Sequence, residues 1–195
     1  VLEAADVDWF GARDDMELTP EHYASDAIAA QLKVDEDLLC LLGFYLAEGS
    51  CSDRNGIRLS IGRSNAGIAA EMSDRMGRIF GQTPVLYESA ARAAELKLVN
   101  RVAAAAWQDL FGFRGAESHT KRIPDLVFNV PVPLRLAFLR GYLRGDGTVA
   151  AGRMAFATSS YDLASGLMYL LSSLGVVASL SEHEPDGKVR QIRGR

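Results

Sequence analysis

The chain has 195 residues, 48% hydrophobic and 24% charged, which suits one medium domain or two small fused ones around a real core. No stretch is long and apolar enough to span a membrane, no signal-peptide pattern opens the chain, and two cysteines (Cys40 and Cys51) are too few for a disulfide framework; a reduced, intracellular, cytoplasmic protein is expected. The net charge of −4 is uneven: residues 1–37 carry −9 and residues 38–195 carry +5, which fits either a polyanionic partner or ordinary solvated surface.

Residues 1–37 hold few apolar anchors and a Thr19-Pro20 break. They read as an acidic linker, a short packed arm, or the edge of a preceding splicing domain. The chain begins with Val1 and stops at Arg195, so a piece of something longer is expected. Residues 38–47 are apolar on nearly every face, which predicts a fully buried helix. Asn55-Gly56 signals a turn into a strand at 57–61, and its alternation places Ile57, Leu59 and Ile61 inward with Arg58 and Ser60 outward. Ser64 is positioned to cap a helix over about 65–80, where Ile68, Met72, Met76 and Phe80 recur at helical spacing before Gly81.

Residues 84–89 and 95–100 read as paired strands, with Leu96 and Leu98 inward and Lys97 outward. A helix is predicted over 101–113, with Val102, Ala106, Leu110 and Phe113 along one side, followed by a short connection through Lys121-Arg122-Ile123-Pro124. The order then repeats: a buried helix at 134–145, a strand at 153–157 with Met154 and Phe156 inward and Arg153 outward, and Ser160 capping a helix at 162–174 that ends at Gly175. Two strands, 177–182 and 189–192, are predicted around the turn Pro185-Asp186-Gly187. The expected fold is α+β, built of two pseudo-symmetric halves, 38–130 and 131–195, the second incomplete.

The clearest signal is the repeat itself. LLGFYLAEGS at 41–50 aligns without a gap on LRGYLRGDGT at 139–148, pairing Gly43 with Gly141, Glu48 with Asp146 and Gly49 with Gly147. Gly43 and Ala47, like Gly141 and Gly145, are small residues four apart on one helix face, where they let two backbones approach closely. Glycine inside a helix costs about 1 kcal/mol relative to alanine, and close helix packing would offset it. If the two helices pack about a pseudo-twofold axis, Glu48 and Asp146 meet at two helix C-termini, ends already partly negative. Paired carboxylates in such a field would raise a carboxyl pKa or recruit cations, for which hard divalent ions of the magnesium type, suited to phosphodiester hydrolysis, are the natural answer. Taken singly, AEGS and GDGT also read as ordinary turns with glycine as the helix cap.

These residues resemble the LAGLIDADG (dodecapeptide) homing endonucleases, most of all the endonuclease domain of inteins. LLGFYLAEGS is similar to the first dodecapeptide block and FLRGYLRGDGT to the second; KRIP at 121–124 resembles the block between them, and 157–180 the block that follows. The likeness covers about 38–192. It implies two αββαββα-type halves forming a saddle over DNA, with the dodecapeptide helices as the central seam. It also implies site-specific double-strand cleavage with Mg²⁺ or Mn²⁺. By position, Glu48 and Asp146 would be the metal-binding catalytic acids. The carbonyls of Ala47 and Gly145 would help hold metal, and Lys121 would be the basic residue of one site. Lys121 also reads simply as an exposed lysine before a proline turn, and the second site has no assigned counterpart.

Arg58, Ser60, Lys97, Arg153, Arg190 and Arg193 are the candidate DNA contacts, each equally readable as solvated surface. The expected partner is double-stranded DNA, bound by a monomer at an asymmetric target, within a chain fused to intein splicing segments and a host protein. With Val1 in place of Cys or Ser and Arg195 at the end, these 195 residues are not expected to splice by themselves. His22, His119 and His183 lack zinc-ligand spacing, and no Walker or G-x-G-x-x-G loop is present. A DNA-binding regulator, an RNA maturase and a degenerate intein endonuclease are alternative descendants of the same fold.

Overall fold

The structure is a computed structural model that describes residues 16–20, 26–62, 66–88 and 93–182. Arg190, Arg193, Lys188, the predicted strand at 189–192, the turn at 185–187 and the Ser64 cap lie outside the described residues. In chain order the elements are β1 (Glu17–Leu18), β2 (Ile28–Ala29), α1 (Glu36–Glu48), β3 (Gly49–Ser52), β4 (Gly56–Ile61) and α2 (Ala66–Phe80). Next come β5 (Val85–Tyr87), β6 (Ala94–Leu98), α3 (Arg101–Leu110) and the single turn α4 (Asp125–Phe128). The second half follows as α5 (Val132–Asp146), β7 (Gly147–Ala150), β8 (Arg153–Phe156) and α6 (Tyr161–Ser173).

Helix α1 is fixed at its start by Asp35, whose carboxylate accepts from the backbone N–H of Asp37 and Leu38, with Glu36 and Asp37 complementing the positive end of the helix. Every residue from Leu38 to Leu46 is buried, as its all-round apolar sequence requires. Helix α5 lies against it, and the glycines explain how closely. A Cβ on Gly43 would overlap the carbonyl oxygen of Phe138, and a Cβ on Gly141 would overlap that of Cys40. The two clashes are mirror images under the alignment of the repeats, so the seam has twofold character at the backbone.

The first half builds an antiparallel sheet in the order β3-β4-β6-β5. Ile57 pairs with Leu98 and Leu59 with Leu96, and all four are buried; Arg58 pairs with Lys97 and Ser60 with Glu95 on the outward face. The inner face packs on α1, α2 and α3, with Met72, Met76, Phe80 and Trp107 in the core. Trp107 is met by the rings of Tyr45, Phe80, Phe111 and Phe113, with centroids 4.9–6.0 Å apart. The acidic segment is not wholly separate. Ile28 is buried in this core, while Asn100 Nδ2 donates to the Asp26 carbonyl and Gln82 Nε2 to that of Ala27.

Several elements depart from the sequence reading. Helix α3 ends at Leu110 and is rotated by one residue, burying Ala103, Ala104, Trp107 and Gln108 while Leu110 is 59% exposed. The large indole of Trp107 sets that rotation, and Gly112 at φ +71° turns the chain so that Phe113 returns to the core from outside the helix. Helix α5 is not buried all round: only Ala137, Phe138, Gly141 and Tyr142 are, while Val132 and Leu136 are exposed. Met154 is exposed despite lying on the inner face of β8, and Phe156 is half-buried. No strand forms at 177–182, where Val177 is exposed. Helix α6 follows the prediction, with Ser160 Oγ accepting from Leu163 N–H and Gly175 at φ +75° ending it. None of the described helices is long and apolar enough to cross a membrane.

Candidate active site

Helices α1 and α5 end in the same unusual way. Gly49 (φ −97°, ψ 156°) and Gly147 (φ −95°, ψ 151°) are extended rather than left-handed, so each helix runs directly into a strand instead of a capping turn. Each still closes its helix, the Gly49 N–H donating to the Tyr45 carbonyl and the Gly147 N–H to that of Leu143. Glycine is needed for space. A Cβ at Gly49 would overlap the Tyr45 ring and one at Gly147 the Leu143 side chain. The strands β3 and β7, unseen in the sequence reading, therefore begin at the residue after each carboxylate.

Glu48 and Asp146 are the last residues of these helices, both half-buried. A Cβ on Gly145 would overlap that of Ala47 and lie 3.0 Å from Glu48 Cγ, so the two helix ends touch. Burial pushes the Glu48 carboxyl above its ordinary range, and the Asp146 charge adds to the rise while Lys121 opposes it. Burial likewise raises Asp146, again opposed by Lys121.

Lys121 is buried, not the exposed lysine of the simpler reading. Its Nζ donates to the carbonyls of Tyr45 (3.2 Å), Leu46 (3.0 Å) and Gly49 (2.8 Å) and sits 5.3 Å from the centre of the Tyr45 ring. It thus caps the negative end of α1 with a full cation. Burial lowers its pKa, opposed by the charges of Asp146 and Glu48. The structure brings Glu48, Asp146 and Lys121 into one electrostatically coupled group.

Among the described residues no three His, Cys, Asp or Glu side chains converge as a metal cluster. The two carboxylates alone nevertheless suit a magnesium-type ion, which commonly takes one or two carboxylates and completes its shell with water and substrate phosphate oxygens. Their raised pKa values are the electrostatic cost that a bound cation would relieve.

The other predicted contacts within the described residues, Arg58, Ser60, Lys97 and Arg153, lie on strands β4, β6 and β8. Ser50, Arg58, Lys97 and Val85 are consecutive register neighbours across the first sheet. Arg58 Nε is buried without an acceptor, and Ser60 is half-buried beside Glu95. Lys97 Nζ lies 2.7 Å from Glu95 and 4.7 Å from the centre of the Tyr87 ring. Tyr87 and Glu95 were missed by the sequence reading; alternation in 85–87 and 94–98 would have placed both on this face. Arg153 is exposed at the far end of β8, and Ala155, not an arginine, occupies the register position equivalent to Arg58.

The duplicated helix–strand units, the glycine seam and the paired acids at its end define a LAGLIDADG-like protein. Residues 133–193 match the family model of the LAGLIDADG-like domain, and the chain carries that domain. It is 27% identical over 194 residues to a DNA polymerase of Thermococcus hydrothermalis, covering 91% of this chain and 11% of that protein. It is 32% identical over 161 residues to a DNA polymerase of Thermococcus kodakarensis, covering 78% of this chain and 9% of the relative. A DNA-directed RNA polymerase subunit of Methanocaldococcus jannaschii is 28% identical over 157 residues, 77% of this chain and 17% of that protein. The chain thus spans between a tenth and a fifth of the length of these relatives.

Proposed function

We propose that the chain is a site-specific double-strand DNA endonuclease that works with Mg²⁺ or Mn²⁺ as the endonuclease part of an intein. The observation that carries this reading is the placement of Glu48 and Asp146 at two touching helix ends with Lys121 buried beside them. When bound there, a divalent ion would supply an activated water and charge stabilisation for phosphodiester hydrolysis. Glu48 and Asp146 would hold it, with the carbonyls of Ala47 and Gly145 completing the protein's share. Lys121 would stabilise negative charge developing on the reacting phosphate while holding the end of α1 in place.

The outward face bearing Arg58, Ser60 and Lys97 would lie against DNA, with Arg153 serving the other half-site. The Lys97 ammonium would exchange its Glu95 partner for phosphate or a base edge. Two unlike outward faces in one chain favour a monomer on an asymmetric target. The intein reading rests on the relatives. The same segment of about 150–190 residues matches a small fraction of a DNA polymerase and of an RNA polymerase subunit, as expected of an element inserted into unrelated hosts.

The test begins by screening a DNA library for breaks made by the intact protein in Mg²⁺, and continues on the recovered target. Wild type should linearise a plasmid bearing that target, whereas Glu48→Gln and Asp146→Asn should bind it with near-normal affinity and fail to cut both strands. Unimpaired linearisation by both variants would overturn the assignment.

A further inference from the structure

The connection at 121–123 joins the two halves through its backbone as well as its side chains. Ser160 is 1% exposed, and its Oγ donates to the Lys121 carbonyl at 2.6 Å while accepting from Leu163 N–H at 3.2 Å. The same hydroxyl therefore begins α6 of the second half and anchors the backbone of Lys121, whose side chain caps α1 of the first half. Two residues on, buried Ile123 packs where Gly166 of α6 leaves room; a Cβ there would stand 3.2 Å from Ile123 Cδ1. Residues 121–123 are thus strapped to α6 at two points, and the Lys121 side chain reaches from that strap to two carbonyls of α1 and that of Gly49 at the start of β3.

We infer that Ser160 is a positioning residue: by fixing the Lys121 backbone to the start of α6, it sets the reach of the Lys121 ammonium onto the end of α1 and so ties the Glu48 site to the second half. The inference deepens the endonuclease reading and rests on it for the role of Lys121. The geometry is asymmetric. Ser160 belongs to the second half, yet the group it places serves the helix end of the first. A buried hydroxyl that donates to a carbonyl as well as capping a helix does two jobs, and alanine would lose both.

The chain has only four lysines (Lys33, Lys97, Lys121 and Lys188), so its ammonium groups can be followed singly by NMR in ¹⁵N-lysine-labelled protein, with Lys121→Met to assign the signal. In wild type the Lys121 ammonium protons should exchange with water at least about tenfold more slowly than those of Lys97. Ser160→Ala, and Ser160→Cys should alanine fail to fold, should raise that exchange to the Lys97 rate while the backbone amide spectrum of α1 stays folded. Ser160→Thr, which keeps the hydroxyl, should restore protection. Undiminished protection in the alanine or cysteine variant would overturn the inference. The measurement uses no DNA, so it decides the matter whether or not the chain proves to be a nuclease. On a cleaved target, Ser160→Ala should slow one strand more than the other; equal slowing of both would overturn the tie to the Glu48 site.

Discussion

The two halves carry the same hairpin after the same helix, yet one is buried and the other is not. In the first half Cys51 pairs with Ile57, and Ile57 is fully buried with α3 lying across β3 and β4. In the second half the register-equivalent pair is Val149 and Met154, which are 64% and 59% exposed. A hairpin is specified locally, by its turn and its alternation, whereas its cover comes from elements that follow it in the chain. Alternation therefore identifies an inner face without showing that anything lies on it.

The seam is where the halves should be most nearly equivalent, and where damage is largest. Gly43→Val and Gly141→Val each push a side chain into the facing backbone, so each should cost more than about 3 kcal/mol in urea unfolding, with similar values for the two. A large difference between them would show that the twofold relation fails at the backbone. Away from the seam the halves should diverge. Ile57→Ala should cost about 2–5 kcal/mol, whereas Met154→Ala should stay within about 0.5 kcal/mol; equal costs would mean that β8 is covered in solution.

A smaller effect concerns the acids. Folding raises the pKa of Glu48 and of Asp146, so each destabilises the folded state once it ionises there. Glu48→Gln and Asp146→Asn should therefore raise the melting temperature at pH 7, and the gain should vanish as pH falls through the raised folded-state pKa towards the ordinary carboxylate value. Thermal melts between pH 3 and 8 would check the sign, and a gain that grew on acidification would refute it. The smallest effect separates the two hairpin turns. Ala151 adopts φ +49° before Gly152 at φ +73°, a pair of left-handed residues where Asn-Gly is the favoured choice, so Ala151→Asn should stabilise by about 0.5–1 kcal/mol in chemical denaturation.

Much of this was legible because it is local or periodic. The extents of α1, α2 and α6, the inward Ile57, Leu59 and Ile61, and the glycine seam all follow from spacing and from the need for small residues where backbones meet. The rotation of α3 was not legible: its alanines leave the apolar stripe ambiguous, and the indole of Trp107 decides the matter only through distant rings. The burial of Lys121 was hidden for a similar reason. Nothing in KRIP shows that three carbonyls from residues 45–49 wait for its ammonium. The strands after Glu48 and Asp146 were missed because glycine was read as a helix stop, when here it is required by the carbonyl and side chain of the residue four earlier.

The reciprocal fit of Gly43 against Phe138 and Gly141 against Cys40 has a consequence for how such a chain can change. Each helix is keyed into the other like two combs with matching gaps, so neither can slide along its axis or swell without the other giving way. Outside that keyed stretch the halves are free to drift, and they have: GIRLSI in one stands against RMAF in the other. What survives as readable duplication is the part of each copy that serves as the mould for its twin.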